Sequence, residues 1–388
     1  MEYKISYKDP HKHFADIELH VDKINSPRLY IQLPAWRPGR YELQNYSRNI
    51  QKFEISDDYG NNIPWKKVNR DRWEAETSGV AKIIIRYNYY CYQMDAGGSW
   101  LDENQLYLNF INCALYIIGR ELEPCSVSLQ IPDHYQIACG LSKEGRMLKA
   151  DNYYHLADAP MIASPTIQQK SYHVQGIDFH IWVLGDLQPD WNLIIHDFQK
   201  FTEETFRVFG EFPEKDYHFI YQILPFPHYH GVEHRNSTII TLGPAEQFHG
   251  KELYEAFVGV SCHELFHTWN ALKIRPKELL PYNFTRENYF RTGYVIEGVT
   301  TYYGDLLLAR SSVFSQEQYF KEVNNLFKKY FDNFGRFNLS LADSSFDLWV
   351  DGYVAGIPNR KVSIYGKGAI AAMILDLEIR VGHPARRP

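Results

Sequence analysis

The most constraining stretch of this 388-residue chain is His263-Glu264-Leu265-Phe266-His267, which follows the apolar run Phe257-Val258-Gly259-Val260-Ser261-Cys262. Two His four positions apart on a helix lie on one face, one turn apart. Both imidazoles can then reach a single ion at about 2.0–2.1 Å. In an apolar segment two unpartnered imidazoles are costly, and one shared metal satisfies both. Glu264 directly follows the first His. It is not needed as a ligand, so its carboxylate is free to take a proton from water at the metal. The pattern predicts a helix over residues 252–272 that binds zinc, one ion per chain, through His263 and His267, with Glu264 as general base.

A catalytic zinc usually takes three protein ligands. The best third candidate is Glu297, thirty positions after His267. It is a lone carboxylate in the apolar, helix-like stretch Tyr294-Val295-Ile296-Glu297-Gly298-Val299, where an uncompensated charge would be expensive. The spacing suits a helix, a connecting loop and a second helix packed antiparallel. Asp305, eight positions later, is an alternative ligand or a partner behind the ligands. Glu278 and Glu287 lie in a Pro- and Asn-rich loop and read as solvated charges.

Composition narrows the rest. The length predicts two or three domains. The net charge of −6 and the scattered Lys and Arg argue against a nucleic-acid surface. No run of eighteen apolar residues exists, so no membrane span is expected, and residues 1–14 lack the apolar core of a leader. With Met1 as native start this predicts a cytoplasmic protein; a leader lost from the sequence would make it periplasmic or secreted. The five Cys form no CxxC pair, which predicts buried free thiols rather than a disulfide framework.

Up to about residue 170 the chain reads as β. Residues 15–21, 28–33, 82–92, 105–118 and 126–131 are rich in β-branched and aromatic residues, and turn signals such as Pro38-Gly39 and Gly97-Gly98 separate them. An antiparallel sandwich or saddle follows from this. Beyond it, helical periodicity appears at 190–209, 252–272, 293–310, 315–334 and 366–381, with strands at 217–224 and 237–242 and a His- and Pro-rich loop at 225–230. The fold class is therefore α+β, with a β domain over 1–170 and a mainly helical domain with a small sheet over 171–388. Trp36, Trp65, Trp73 and Trp100 read as core, the other possibility being an aromatic platform for a ligand.

Several segments together resemble the glycyl aminopeptidase family of gluzincin metallopeptidases, whose members often carry a C-terminal PDZ domain. These are Pro34-Ala35-Trp36-Arg37-Pro38-Gly39-Arg40-Tyr41, Gly231-Val232-Glu233-His234, HELFHTWNALKIRP at 263–276, EGVTTYYGDLLL at 297–308, and Tyr365-Gly366-Lys367-Gly368. The resemblance implies a thermolysin-like catalytic domain and the ligand set His263, His267 and Glu297. It implies that Glu233 binds the free α-amine of a peptide substrate and that Tyr365 donates a hydrogen bond to the oxyanion. It also implies hydrolysis of small N-terminal residues, Gly or Ala; residues 226–230, crowded with His and aromatics, are expected to narrow the first subsite. Two departures stand out. Ile364 occupies a place where relatives often have a second Tyr. The tail at 383–388 reads as a truncation, with the PDZ domain missing. The rival readings are a zinc endopeptidase of the same fold and a catalytically weak zinc-containing protein that binds peptides. The sequence leaves the oligomeric state open.

Overall fold

The computed structural model describes residues 1–352 and 356–382; the tail read as a truncation, 383–388, lies outside them. Strand Phe14–Val21 illustrates how the N-terminal part forms. Its burial alternates residue by residue, with Ala15, Ile17, Leu19 and Val21 turned inward and the residues between them half-buried. That period of two is the mark of a strand with one face on a core. It lies inside a seven-stranded sheet between Glu2–Ser6 and Ile83–Tyr90, antiparallel to both. One pair in that sheet, Glu2–Ser6 with Cys125–Gln130, is parallel. A four-stranded and a five-stranded antiparallel sheet complete the N-terminal part. Phe53 of the large sheet stacks on Trp73 of the four-stranded one at 4.9 Å between centroids.

The chain then builds a second, mixed five-stranded sheet in the order Gln168–Val174, Ile177–Leu184, Asp216–Ile223, Ser237–Gly243, His228–His234. Its two central pairings are parallel. A parallel pair needs a crossover, and the helix Trp191–Phe209 supplies one, burying Ile194, Phe198, Phe201 and Phe206. The strand His228–His234 is left at the sheet edge. The helix Lys251–His267 follows the sheet and packs on Gly293–Arg310, which in turn packs on the final helix Ile364–Gly382. Those last two approach very closely. A Cβ at Gly298 would lie 2.4 Å from the Gly368 carbonyl carbon.

The α+β class and the order of the two parts agree with the sequence reading, and all five Cys are free and buried. No helix among the described residues is long and apolar enough to cross a membrane. Three expectations need correction. Residues 105–118 are not one strand: Leu106–Leu108 and Tyr116–Ile117 flank the short helix Phe110–Cys113, because Asn109 and Asn112 turn inward and bond to backbone carbonyls at 96–98. The loop expected at 225–230 ends at residue 227, where the edge strand begins. Nor are all four Trp core, against expectation. Trp36 and Trp73 are buried, Trp65 is exposed, and half-buried Trp100 stacks on Tyr92 at 4.6 Å.

The first core does not stop at the β part. It runs without a break into Ala271, Leu279, Phe284, Phe290, Ile296 and Ile364. Trp36 is the joint. It is fully buried, packs edge-on to Trp349 at 5.1 Å and Tyr282 at 5.6 Å, and donates Nε1–H to the Asn283 carbonyl at 2.8 Å. Ala35 N–H bonds the Phe284 carbonyl at 2.7 Å beside it. Removing this side chain opens a large cavity, so Trp36→Ala should cost about 3–5 kcal/mol in denaturant unfolding, and Trp36→Phe clearly less.

Candidate metal centre and cleft

The helix Lys251–His267 presents His263, Glu264 and His267 from its last turns. His267 is 1% exposed, and its Nδ1 lies 2.7 Å from the Asn270 carbonyl oxygen. A carbonyl only accepts, so Nδ1 carries a proton and Nε2 is the nitrogen left to face a cation or metal in the cluster. Asn270 is in turn anchored by its side-chain amide to the Val295 and Ile296 carbonyls, both at 3.0 Å. Those carbonyls belong to the first turn of the helix Gly293–Arg310, two residues and one residue before Glu297. The loop after the first His helix therefore sets the second helix in register.

That register brings Glu297 to the His pair. The two Nε2 atoms are 3.0 Å apart, and Glu297 Oε2 lies 3.7 Å from that of His263 and 3.4 Å from that of His267. A tetrahedral ion with bonds of about 2.0–2.1 Å needs donor–donor edges of about 3.3–3.4 Å by geometry, so the triangle fits. The set is two imidazoles and one carboxylate, and the described residues place no thiolate with them. Electrostatics points the same way. Burial alone would disfavour charge at Glu297, yet its contacts with His263 and His267 pull its carboxyl down to about 2. Burial likewise opposes a charged His267, but Glu297, Glu233 and Glu264 outweigh it and hold the imidazole up at about 10. The centre of the cluster attracts positive charge.

Glu264 points into the same space, 5% exposed, and its Oε2 is buried with no hydrogen-bond partner. Burial, reinforced by Glu233 and Glu297 and opposed by His267, raises its carboxyl to about 8. Glu233 comes from the edge strand and is only 8% exposed. One oxygen of Glu233, one of Glu264 and a ring nitrogen of His267 lie within 4.8 Å of one another. Burial raises the Glu233 carboxyl too, Glu297 adding to it and His267 opposing. Tyr365, in the first turn of the final helix, lines the cleft with its ring nearly parallel to that of His263, 6.5 Å away. Ile364 beside it is buried. Asp305 lines the cleft as well, but no hydrogen bond joins it to either imidazole and it lies outside the donor triangle.

Two glycines, which sequence reasoning left without a role of their own, let the backbone close in. A Cβ at Gly231 would lie 2.4 Å from Glu264 Oε1 and 2.9 Å from Val260 Cγ2. A Cβ at Gly39, where φ is +75°, would lie 2.8 Å from Glu233 Oε2 and 3.4 Å from Arg37 Nη1. The turn signal at Pro38-Gly39 marked the bend but not what it approaches. Arg37, 3% exposed, enters with that loop beside Asp95 and His230. Burial, with Arg37 helping and Asp95 opposing, lowers His230 to about 4, so it is neutral at ordinary pH. Of residues 226–230, Tyr229 and His230 line the cleft, whose volume is about 620 Å³; Phe226 is half exposed and does not.

Residues 2–165 match the family model described as Peptidase M61 N-terminal domain, and residues 256–371 match the one described as M61 glycyl aminopeptidase. The chain belongs to the M61 glycyl aminopeptidase family. It is thus a metallopeptidase of the aminopeptidase class. Among solved structures, an aminopeptidase N family protein from Idiomarina loihiensis superposes with a TM-score of 0.93 at 28% identity, over all of this chain and 68% of that one. A point mutant of an M1 zinc metallopeptidase from Deinococcus radiodurans, bound to a Tyr-Ser-Ala substrate, gives 0.57 at 13% identity, over 97% of this chain and 82% of that one. The yeast LTA4 hydrolase in complex with bestatin gives 0.51 at 12% identity, over 97% and 58%. The last two likenesses concern the fold. No curated protein gives a significant sequence match.

A second group of potential donors, His180, Asp216 and His218, lies on the mixed sheet. It is a poor metal site. Trp182 donates its indole N–H to His218 Nδ1 at 3.1 Å, and an indole can only donate, so the other ring nitrogen of His218 holds the proton. Gly231 offers the sharpest test of the M61 cleft. Gly231→Ala should keep the fold but push the edge strand or Glu264 aside, lowering peptide hydrolysis by about a hundredfold. Circular dichroism and steady-state kinetics check both halves.

Proposed function

We propose that this chain is a zinc-dependent aminopeptidase that removes small N-terminal residues, Gly or Ala, from peptides. The observation that carries this reading is Glu233. A buried carboxylate beside the donor cluster, on the edge strand of the sheet, is a site for an ammonium group. Held there, the amine of a peptide sets the distance to the bond that is cut. Gly39 lies close against Glu233 from the N-terminal part of the chain and bounds the cleft there; the preference for Gly or Ala follows the family resemblance.

The proposed ligands are His263, His267 and Glu297, one zinc ion per chain. Bound there, zinc supplies Lewis-acid chemistry that polarises a carbonyl and acidifies water. Glu264 takes a proton from the attacking water and returns it to the leaving amine. Its raised carboxyl suits that exchange, because a base poised near the working pH both accepts and gives back a proton. Tyr365 donates its phenolic hydrogen to the carbonyl oxygen as charge develops on it. The exposed edge of the strand His228–His234 offers backbone groups to an extended peptide. Residues 1–170 act in this reading as a β domain that contributes the Arg37–Gly39 loop, and 171–388 as the thermolysin-like catalytic domain. The substrate is a peptide with a free N-terminus, with no role for nucleic acid or membrane.

Glu264→Gln should retain zinc by metal analysis while hydrolysis falls by about 10²–10⁴-fold; full activity in this variant would sink the mechanism. A chelator should abolish turnover, and added zinc should restore it. Glu233→Ala should reduce hydrolysis of free-amine peptides far more than that of N-acetylated ones. Equal losses on both would point to the endopeptidase reading, and binding without turnover in the zinc-loaded protein to the peptide-binding one.

A further inference from the structure

The cleft continues past the donor cluster along the Lys251–His267 helix, lined by Val260, Ala256, Glu255 and Glu252. The last two precede His263 by eight and eleven residues, about 12–16 Å along the axis. Glu233 sits at the opposite end, beside His267. The edge strand gives the same direction independently. From Glu233 back to Tyr229 it covers about 13 Å, and the largely exposed Tyr229 side chain lies within the electrostatic reach of Glu264, Asp305 and Glu322. With the peptide amine at Glu233, the part of the peptide after the scissile bond must therefore run toward Asp305 and Glu322.

Asp305 has no other task in this cleft. Gly304, just before it, passes so close to the His helix that a Cβ there would lie 3.4 Å from the His263 Cα, which puts Asp305 immediately beyond the cluster. Its carboxylate forms no hydrogen bond or ion pair among the described residues. Lys321, a nearby cation, is held by Glu255 at 3.5 Å. Burial raises the Asp305 carboxyl to about 7, with Glu322 adding and Lys329 opposing without cancelling. The cleft around Asp305 combines the apolar Val260, Ala256, Phe314 and Leu326 with Glu322, Lys321 and Lys329. Apolar side chains beside the carboxylates of Asp305 and Glu322 complement a long aliphatic side chain that ends in a cation.

We propose that Asp305, assisted by Glu322, is a specificity-determining residue that selects Lys or Arg immediately after the scissile bond. The inference rests on the aminopeptidase reading, through the direction it gives the cleft. It is tested on the zinc-loaded protein with the peptide amides Ala-Xaa-Ala, where Xaa is Lys, norleucine (nearly the same length without the charge) or Glu. The expected order of kcat/KM is Lys over norleucine by about tenfold or more, with Glu slowest. Asp305→Asn should bring the Lys-to-norleucine ratio close to one, and Asp305→Glu should keep it well above one. The wild-type order decides even if a variant does not fold. Equal wild-type rates, or a Lys preference that survives Asp305→Asn, would overturn the inference and leave the aminopeptidase reading standing. Acetylating the Ala-Xaa-Ala series serves as the control: peptides cut as fast as their free-amine forms would overturn the aminopeptidase reading, and this inference with it.

Discussion

Everything in the site follows from three carboxylates and two imidazoles held together out of water. Glu233, Glu264 and Glu297 are each less than a tenth exposed, and all act on His267. Buried like charges repel, and each loses its hydration. The cluster is favourable only with positive charge at its centre and at its open end. A divalent ion between His263, His267 and Glu297 answers the first need. In the proposed function, a substrate ammonium near Glu233 would answer the second. The electrostatic cost that makes the cluster improbable as mere packing is also what, in the proposed function, would make it selective for a metal and a free amine.

The fold meets that cost with elements drawn from distant parts of the chain. The mixed sheet offers an edge strand, the His helix lies across it, and the helix Gly293–Arg310 is locked to the loop after the His helix through Asn270. The N-terminal part is not an appendage. Its core is continuous with that of the catalytic helices, and Trp36 carries the adjacent Arg37–Gly39 turn to the Glu233 carboxylate. Burying a Trp at this joint fixes the closed end of the cleft more firmly than a solvent-exposed loop could.

The parts that were legible in the chain alone share one property: their signal is local. His263, Glu264 and His267 stand in a five-residue pattern whose helical period places both imidazoles on one face. Glu297 was legible because a charge inside an apolar helix asks for a partner, whatever that partner is. Glu233 and Tyr365 were not legible that way. A lone Glu near a strand end and one Tyr among 29 look ordinary until their neighbours are known, and only family resemblance singled them out. The strand His228–His234 escaped notice because its His and Gly content, next to Pro225 and Pro227, imitates a loop. It pairs with Ser237–Gly243 over seven residues because sheet hydrogen bonds override weak side-chain preference.

By itself, then, the sequence determined the class of chemistry, since ligand spacing on a helix depends only on its pitch. It also determined the α+β order, since periodicities of two and 3.6 are written residue by residue. Tertiary structure decided the rest. It turned Glu233 inward, brought Gly39 and Gly231 against the two working carboxylates, kept Asp305 out of the donor triangle and set it on the cleft wall. None of these has a local signal, because each depends on how closely segments tens to hundreds of residues apart can approach, and that distance is set by packing.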